Sequence, residues 1–347
     1  MDASLFVSTD QRVPGPVRDL VGYGGQAPHF TWPGKARVAV QIVINYEEGS
    51  EKSFPMGDGV NDTLHESPAV LEGQRDLAVE STYEYGSRAG VWRLFRVLDT
   101  AQVPATIFAT AVALERNVEV AQKIVERDDE IAGHGYRWIK HSEMSRDDER
   151  EVIRRAVESF SRTVGRRPLG WYCREMSVNT RELVVEEGGF LYDSDSYNDD
   201  LPYWTLVGNR PHLVVPYSLV VNDVRYVRPM GFGSPQHFFE TARSTLDGLL
   251  RDRDGVARMM SVGLHPRLGG QPGRADALAR FIDYAQAQED VWIARRIDVA
   301  RAFIERYPPE QALTLVGASE EGRQGNRRTK SVVRGGGVDQ EGVRRRK

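Results

Sequence analysis

Val40-Gln41-Ile42-Val43-Ile44-Asn45-Tyr46-Glu47-Glu48-Gly49 decides how this chain is read, because a continuous run of Val and Ile stops abruptly at two adjacent carboxylates. Branched apolar residues bounded by a turn signal predict a strand covered on both faces. Neighbouring carboxylates at its end repel one another, so one of them needs a proton, a cation or a reaction to hold it there. The plainer reading is a pair of solvated loop glutamates, since charged side chains usually face water. The other strand ends weigh against it.

Outward from that strand, helical and extended signals alternate. A polar stretch with Gly and Pro, Ser50 to Gln74, reads as a long irregular loop over one face. Arg88 to Ala101 sets Val91, Leu94, Phe95 and Leu98 at helical spacing, and Asn117 to Arg127 does the same with Val120, Ile124 and Val125 inward. Strands are expected at Pro104–Ala109, Glu130–His134, Leu169–Tyr172, Leu213–Tyr217, Met259–Leu264 and Val291–Ala294. Further helices are expected at Glu149–Val164, Asn179–Gly188 with a glycine C-cap, Ala275–Ala287 and Ile297–Tyr307. Such alternation predicts an α/β fold with a mainly parallel sheet, and so many units favour a barrel over an open sheet. Chemistry in parallel barrels gathers at the C-terminal strand ends. Glu47 and Glu48, His134, the stretch after Trp171, Asp193 with Asp195, and His265 all fall there. A single polar residue after a strand is usually a turn former; five such endings point to a site.

Composition narrows the setting. The 347 residues carry a formal net charge of -4, which offers no field for nucleic acid or an anionic membrane. Cys173 is the only cysteine, so neither a structural disulfide nor a cysteine-rich zinc site is expected. Met1-Asp2-Ala3-Ser4 lacks the basic and apolar pattern of an export signal, and no run approaches a membrane span, so a cytoplasmic protein is expected. From Gly317 the chain is rich in Gly, Arg and Lys with few large apolar residues, a composition that cannot bury a core. The organisation expected is an irregular segment over 1–34 packed on a barrel, the barrel over 35–310, and a basic, disordered tail over 311–347.

The order of motifs resembles the polysaccharide deacetylase family: the acid pair, Glu130-Ile131-Ala132-Gly133-His134-Gly135, Arg167-Pro168-Leu169-Gly170-Trp171, Asp193-Ser194-Asp195 and Leu264-His265. Within it, Asn45-Tyr46-Glu47-Glu48-Gly49, Glu84-Tyr85-Gly86-Ser87-Arg88-Ala89-Gly90, Glu186-Glu187-Gly188-Gly189-Phe190, Asp199-Asp200-Leu201-Pro202-Tyr203-Trp204, Arg267-Leu268 and Arg295-Arg296 resemble the cofactor-independent allantoinase branch. The likeness covers roughly residues 35 to 307. It implies a distorted (β/α) barrel of the NodB-like type, hydrolysis of an amide carbon–nitrogen bond, a small-molecule ureide as substrate and assembly into homo-oligomers.

The departures from the family pattern concern metal. Typical deacetylases carry Asp-Asp after the first strand and His-x-x-x-His, which give a divalent cation one carboxylate and two imidazoles. This chain has Glu47-Glu48, and His134-Gly135-Tyr136-Arg137-Trp138 puts an indole where the second imidazole belongs. Zinc needs three protein ligands and a water, and indole cannot ligate. No cofactor is therefore expected. The alternative is one divalent cation such as zinc, held by Glu48, His134 and His141 if the loop folds back. A second departure is Tyr172-Cys173-Arg174-Glu175-Met176, where the branch has a Tyr-Thr-Gly-Arg-like loop; the arginine is displaced by one place.

Amide hydrolysis without a metal needs a base for water, donors for the oxyanion and an acid for the leaving nitrogen. Either Glu47 or Glu48 can be the base, since crowding raises one carboxylate's pKa and leaves its partner ionised. His265 is the candidate acid or oxyanion donor, and His134 can orient the glutamate or the water. Arg137, Arg174 and Arg267 are candidate clamps for ureido oxygens, against the plainer reading of surface ion pairs. Trp138 and Tyr172 are expected to line the pocket, covered by the Ser50–Gln74 loop and the aromatic segment Tyr197–Trp204. Cys173 has no paired base and reads as buried packing. The function expected is hydrolysis of allantoin to allantoate. Deacetylation of chitin or another N-acetylated sugar, and a catalytically silent binding barrel, are the alternatives.

Overall fold

The computed structural model describes residues 14–62, 71–252 and 255–309. The expected basic tail and the middle of the Ser50–Gln74 loop lie outside those residues. The chain divides into a unit through Phe303, which carries the sheet and every site residue considered below, and a second unit from Ile304.

Nine strands form one curled half-barrel: β1 (Val38–Tyr46), β2 (Thr106–Ala109), β3 (Glu130–Gly133), β4 (Gly170–Trp171), β5 (Tyr192–Asp193), β6 (Tyr203–Val207), β7 (Arg210–Val214), β8 (Arg258–Leu264) and β9 (Val291–Ile293). Their order is β6-β7-β5-β4-β3-β2-β1-β8, with β9 against the first half of β1 and β2 against its second half. Every pairing is parallel except the β6–β7 hairpin. The helices are α1 (Leu77–Tyr85), α2 (Val91–Ala101), α3 (Ala111–Arg116), α4 (Val118–Glu126), α5 (Arg146–Thr163), α6 (Thr180–Glu187), α7 (Pro235–Arg251), the single turn α8 (Pro266–Gly269), α9 (Pro272–Gln286) and α10 (Arg296–Arg306). Among the described residues no helix is long and apolar enough to cross a membrane.

All nine residues of β1 are buried, and the two-residue period of a strand divides them. Val38, Val40, Ile42, Ile44 and Tyr46 join the core shared with Leu94, Phe95 and Leu98 of α2 and Phe281 and Ile282 of α9. Gln41, Val43 and Asn45 face the barrel interior, where Val43 packs with Phe108 and Tyr217. Arg296, fully buried, plugs that interior by donating to Gln41, Ser194 and Ser261 and to the carbonyls of Val215 and Pro216. A parallel sheet brings the ends of β1, β3, β4 and β8 to one rim, so Glu47, His134, Tyr172 and His265 arrive together.

Several elements differ from their sequence reading. Val125, expected inward, is 42 % exposed, because α4 turns Val120, Ala121 and Ile124 to the core instead. The aromatic segment expected as cover runs into the β6–β7 hairpin, with Tyr203 opposite Val214 and Trp204 opposite Leu213. Four helices are not among those expected: α1, capped by Asp76, the short α3, α7, capped by Ser234 with Phe238, Ala242 and Leu246 buried, and the single turn α8.

Between α1 and α2 a π-helical turn, Gly86–Gly90, lies against the start of α8. A Cβ on Gly90 would meet the Pro266 carbonyl oxygen at 2.0 Å, and backbone there has little freedom to yield. Gly90→Ala is expected to lower the unfolding free energy by about 1–3 kcal/mol, the usual cost of overpacking. Urea denaturation with an unchanged midpoint would show that this contact does not brace the rim.

Candidate functional site

The acid pair is split between the two sides of the sheet. Glu47 continues the inward set of Gln41 and Asn45, and its Oε1 lies 3.2 Å from His134 Nε2 and 3.5 Å from His265 Nε2. Glu48 points the other way, into space that only a glycine leaves open: a Cβ on Gly86 would sit 2.3 Å from Glu48 Oε1. Arg267, in the α8 turn after β8, reaches both. Its Nη1 is 2.9 Å from Glu47 Oε2 and 3.7 Å from Glu48 Oε1, while its backbone N–H donates to Glu48 Oε1 at 3.2 Å. Glu47, Glu48, His134 and His265 are between 1 % and 7 % exposed, so their charges act with little screening from solvent.

Each imidazole is oriented from behind. His134 Nδ1 lies 2.9 Å from the Tyr172 carbonyl, which only accepts, so Nδ1 donates there, and Nε2 faces Glu47. The Tyr172 ring stacks on His134 at 5.1 Å and 9°, and its hydroxyl meets that of Tyr197. His265 Nδ1 is 2.7 Å from Asp223 Oδ1, and Asp223 Oδ2 accepts the backbone N–H of His265 and of Gly269. Asp223 escaped the sequence reading because it follows no strand. The only cue was a polar Asn222-Asp223 step after Val220-Val221.

Burial alone would raise the Glu47 pKa, but the His265 and Arg267 charges and the imidazole hydrogen bonds hold it well below the usual carboxylate range. Glu48 goes the other way. Burial lifts it to about 7 against the pull of Arg267, with the Glu47 charge adding to the rise. Burial would lower His265, yet the Glu47 carboxylate and then Asp223 lift it to about 10. At neutral pH the site holds an ionised Glu47 beside an imidazolium.

Of the other residues expected in the site, Arg267, Trp138 and Tyr172 lie with the acid pair and His134, whereas Arg137 and Arg174 are engaged by the loop after β1. Arg137 forks onto Asp58 at 2.7 and 3.0 Å and donates to the Glu51 carbonyl, pinning the loop after β1. Arg174 pairs with Asp62 of that loop and lies 3.9 Å above the Trp138 ring. Both guanidiniums hold protein carboxylates and fasten that loop. Arg267 is likewise bound to the acid pair. Trp138 is buried against Tyr83. Asp193 is occupied by Arg181 and His212, and Cys173 packs beside Asp195, burial and that carboxylate raising its thiol pKa.

The donors do not fit a divalent cation. Glu48, one of the three alternative ligands, faces Gly86 and accepts the Arg267 backbone N–H at 3.2 Å, while His141 is bound by Glu149 through Nδ1 at 3.0 Å, which leaves its Nε2 without a partner among the described residues. The alternative ligand set Glu48, His134 and His141 is therefore not assembled. Among the described residues no cluster of three or more His, Cys, Asp or Glu could hold a metal ion.

Residues 73–186 match the family described as polysaccharide deacetylase. A protein of Schizosaccharomyces pombe named "Putative polysaccharide deacetylase" is 35 % identical over 313 residues, spanning 84 % of this chain and 98 % of that one. Two solved structures are similar: a "probable Polysaccharide deacetylase" of Pseudomonas aeruginosa, 47 % identical with TM-score 0.81 over 84 % of this chain and 99 % of that one, and Puue allantoinase, 46 % identical with TM-score 0.81 over 84 % and 98 %.

A group whose folded-state pKa exceeds its unfolded value stabilises the fold fully below the unfolded value and loses that contribution as pH rises through the folded one. For His265 the window runs from 6.5 to about 10. In a 15N NMR titration its imidazole is expected to lose its proton near the top of that window, and Asp223→Asn to bring the midpoint down. A wild-type midpoint near 6.5 would contradict the paired geometry.

Proposed function

The chain belongs to the polysaccharide deacetylase family of hydrolases, and from a buried carboxylate flanked by two imidazoles and a guanidinium we propose that it opens the hydantoin ring of allantoin to give allantoate. The observation that carries this reading is the convergence of His134 Nε2 and His265 Nε2 on one Glu47 oxygen while Arg267 holds the other. In this reading Glu47 takes a proton from the attacking water, whose oxygen bonds to the ring carbonyl carbon. The ring carbon–nitrogen bond breaks, and the His265 imidazolium gives its proton to the departing nitrogen. Asp223 accepts the Nδ1–H of that imidazolium, which keeps its Nε2–H aimed into the site. Because its pKa lies far below neutrality, Glu47 is always in its basic form but is a weak base, so cationic His265 carries much of the charge that develops on oxygen.

The likeness to a solved allantoinase at 46 % identity supports a small cyclic amide, as does the burial of the four central side chains, since a polymer needs an open groove. The names of the Schizosaccharomyces and Pseudomonas relatives favour the second reading, an N-acetyl-sugar deacetylase built on the same acid–base pair. A ureide substrate, homo-oligomeric assembly and a cytoplasmic setting belong to the first proposal.

Purified, chelator-treated protein incubated with allantoin and, separately, with chitin oligomers distinguishes the readings. Allantoate without acetate is expected, and Glu47→Gln should lower turnover by about 100- to 10,000-fold, the usual worth of a general base. Acetate without allantoate would select the deacetylase, restoration only by added zinc would overturn the metal-free site, and no turnover of either would leave the silent barrel.

A further inference from the structure

Two carboxylates buried at a barrel rim need positive charge beside them, and among the described residues no donors assemble around a metal ion. We propose that Arg267 is that charge, a positioning residue whose guanidinium is built into the acid pair in the role a divalent cation holds in typical relatives. The proposal rests on Glu47 being the base.

Arg267 is 1 % exposed and holds both carboxylates with different groups, Nη1 on Glu47 and backbone N–H on Glu48. Its Cζ lies 4.6 Å from the Tyr83 ring centre and 5.2 Å from that of Trp138. Trp138 thus has a positive role in the place of an imidazole. The exchange gives up a lone pair that binds a metal and gains a π face that attracts an organic cation. Glycine at position 86 makes the arrangement possible, because a Cβ there would sit 2.8 Å from the Arg267 backbone nitrogen and closer still to Glu48. Glu51, from the loop after β1, also lies within the electrostatic reach of the guanidinium.

The consequence for Glu47 is a division of labour between its oxygens. Oε2 is fixed by Arg267, which turns Oε1 toward the two imidazoles. A planar guanidinium fixes direction as well as charge, whereas a lysine supplies charge alone. The position therefore asks for arginine, and the fold supplies an aromatic wall for its flat face.

The test uses full-length Arg267→Gln and Arg267→Lys, with folding checked by circular dichroism. Glutamate carboxylates are followed by 13C NMR against pH, and Glu47→Gln assigns the Glu47 signal. Losing the cation should move the Glu47 titration to higher pH, by less in Arg267→Lys than in Arg267→Gln. Allantoin turnover should fall at least about 100-fold in Arg267→Gln with KM changed only a few-fold, the scale seen when one fixed electrostatic donor is removed. Arg267→Lys should recover about tenfold of that loss. If Gln prevents folding, the Lys variant alone decides, and an unmoved Glu47 titration in a folded variant overturns the role given to Arg267. Wild-type protein that leaves allantoin intact while the NMR shift appears would reject the substrate and retain the cation.

Discussion

A carboxylate stays ionised inside a barrel only if its lone pairs are answered by charge or by donors. Glu47 meets that condition with three side chains from two stretches of the sequence: His134 after β3, and His265 and Arg267, two residues apart, after β8. Each is held in turn. Tyr172 lends His134 a carbonyl and a ring face, Asp223 binds His265 through side chain and backbone, and Tyr83 and Trp138 wall in Arg267. Remove any one and the negative charge at the end of β1 loses part of what stabilises it.

That charge balance also explains why two adjacent glutamates coexist. Extended backbone turns neighbours to opposite faces. Glu47 therefore joins His134 and His265 at the rim, while Glu48 enters the gap beside Gly86 and is lifted to about 7. Adjacency in sequence becomes separation in environment, one carboxylate ionised and the other close to holding a proton at neutral pH.

The parallel sheet and the rim residues Glu47, His134 and His265 were legible because a buried strand is nearly all apolar and its first polar residue marks its end. The partners of Arg137 and Arg174 were not legible, because sequence shows a guanidinium but not the Asp58 or Asp62 that binds it across the loop after β1. The bond from His141 Nδ1 to Glu149 of α5 was not legible either, since the two meet only through the fold. Asp223 and the aromatic box around Arg267 depend on long-range packing that no local pattern encodes. β4 and β5, two residues each, were visible only through the motifs that flank them.

The most direct test of a Glu47-centred, metal-free site is a crystal structure of the Glu47→Gln variant soaked with allantoin, with anomalous scattering recorded at the zinc edge. The ring carbonyl carbon is expected beside residue 47, between His134 Nε2 and His265 Nε2, with the Arg267 guanidinium retained against Glu48 and no anomalous peak at the rim. An anomalous peak bonded to His134, or allantoin bound away from residue 47, would contradict the Glu47-centred, metal-free site.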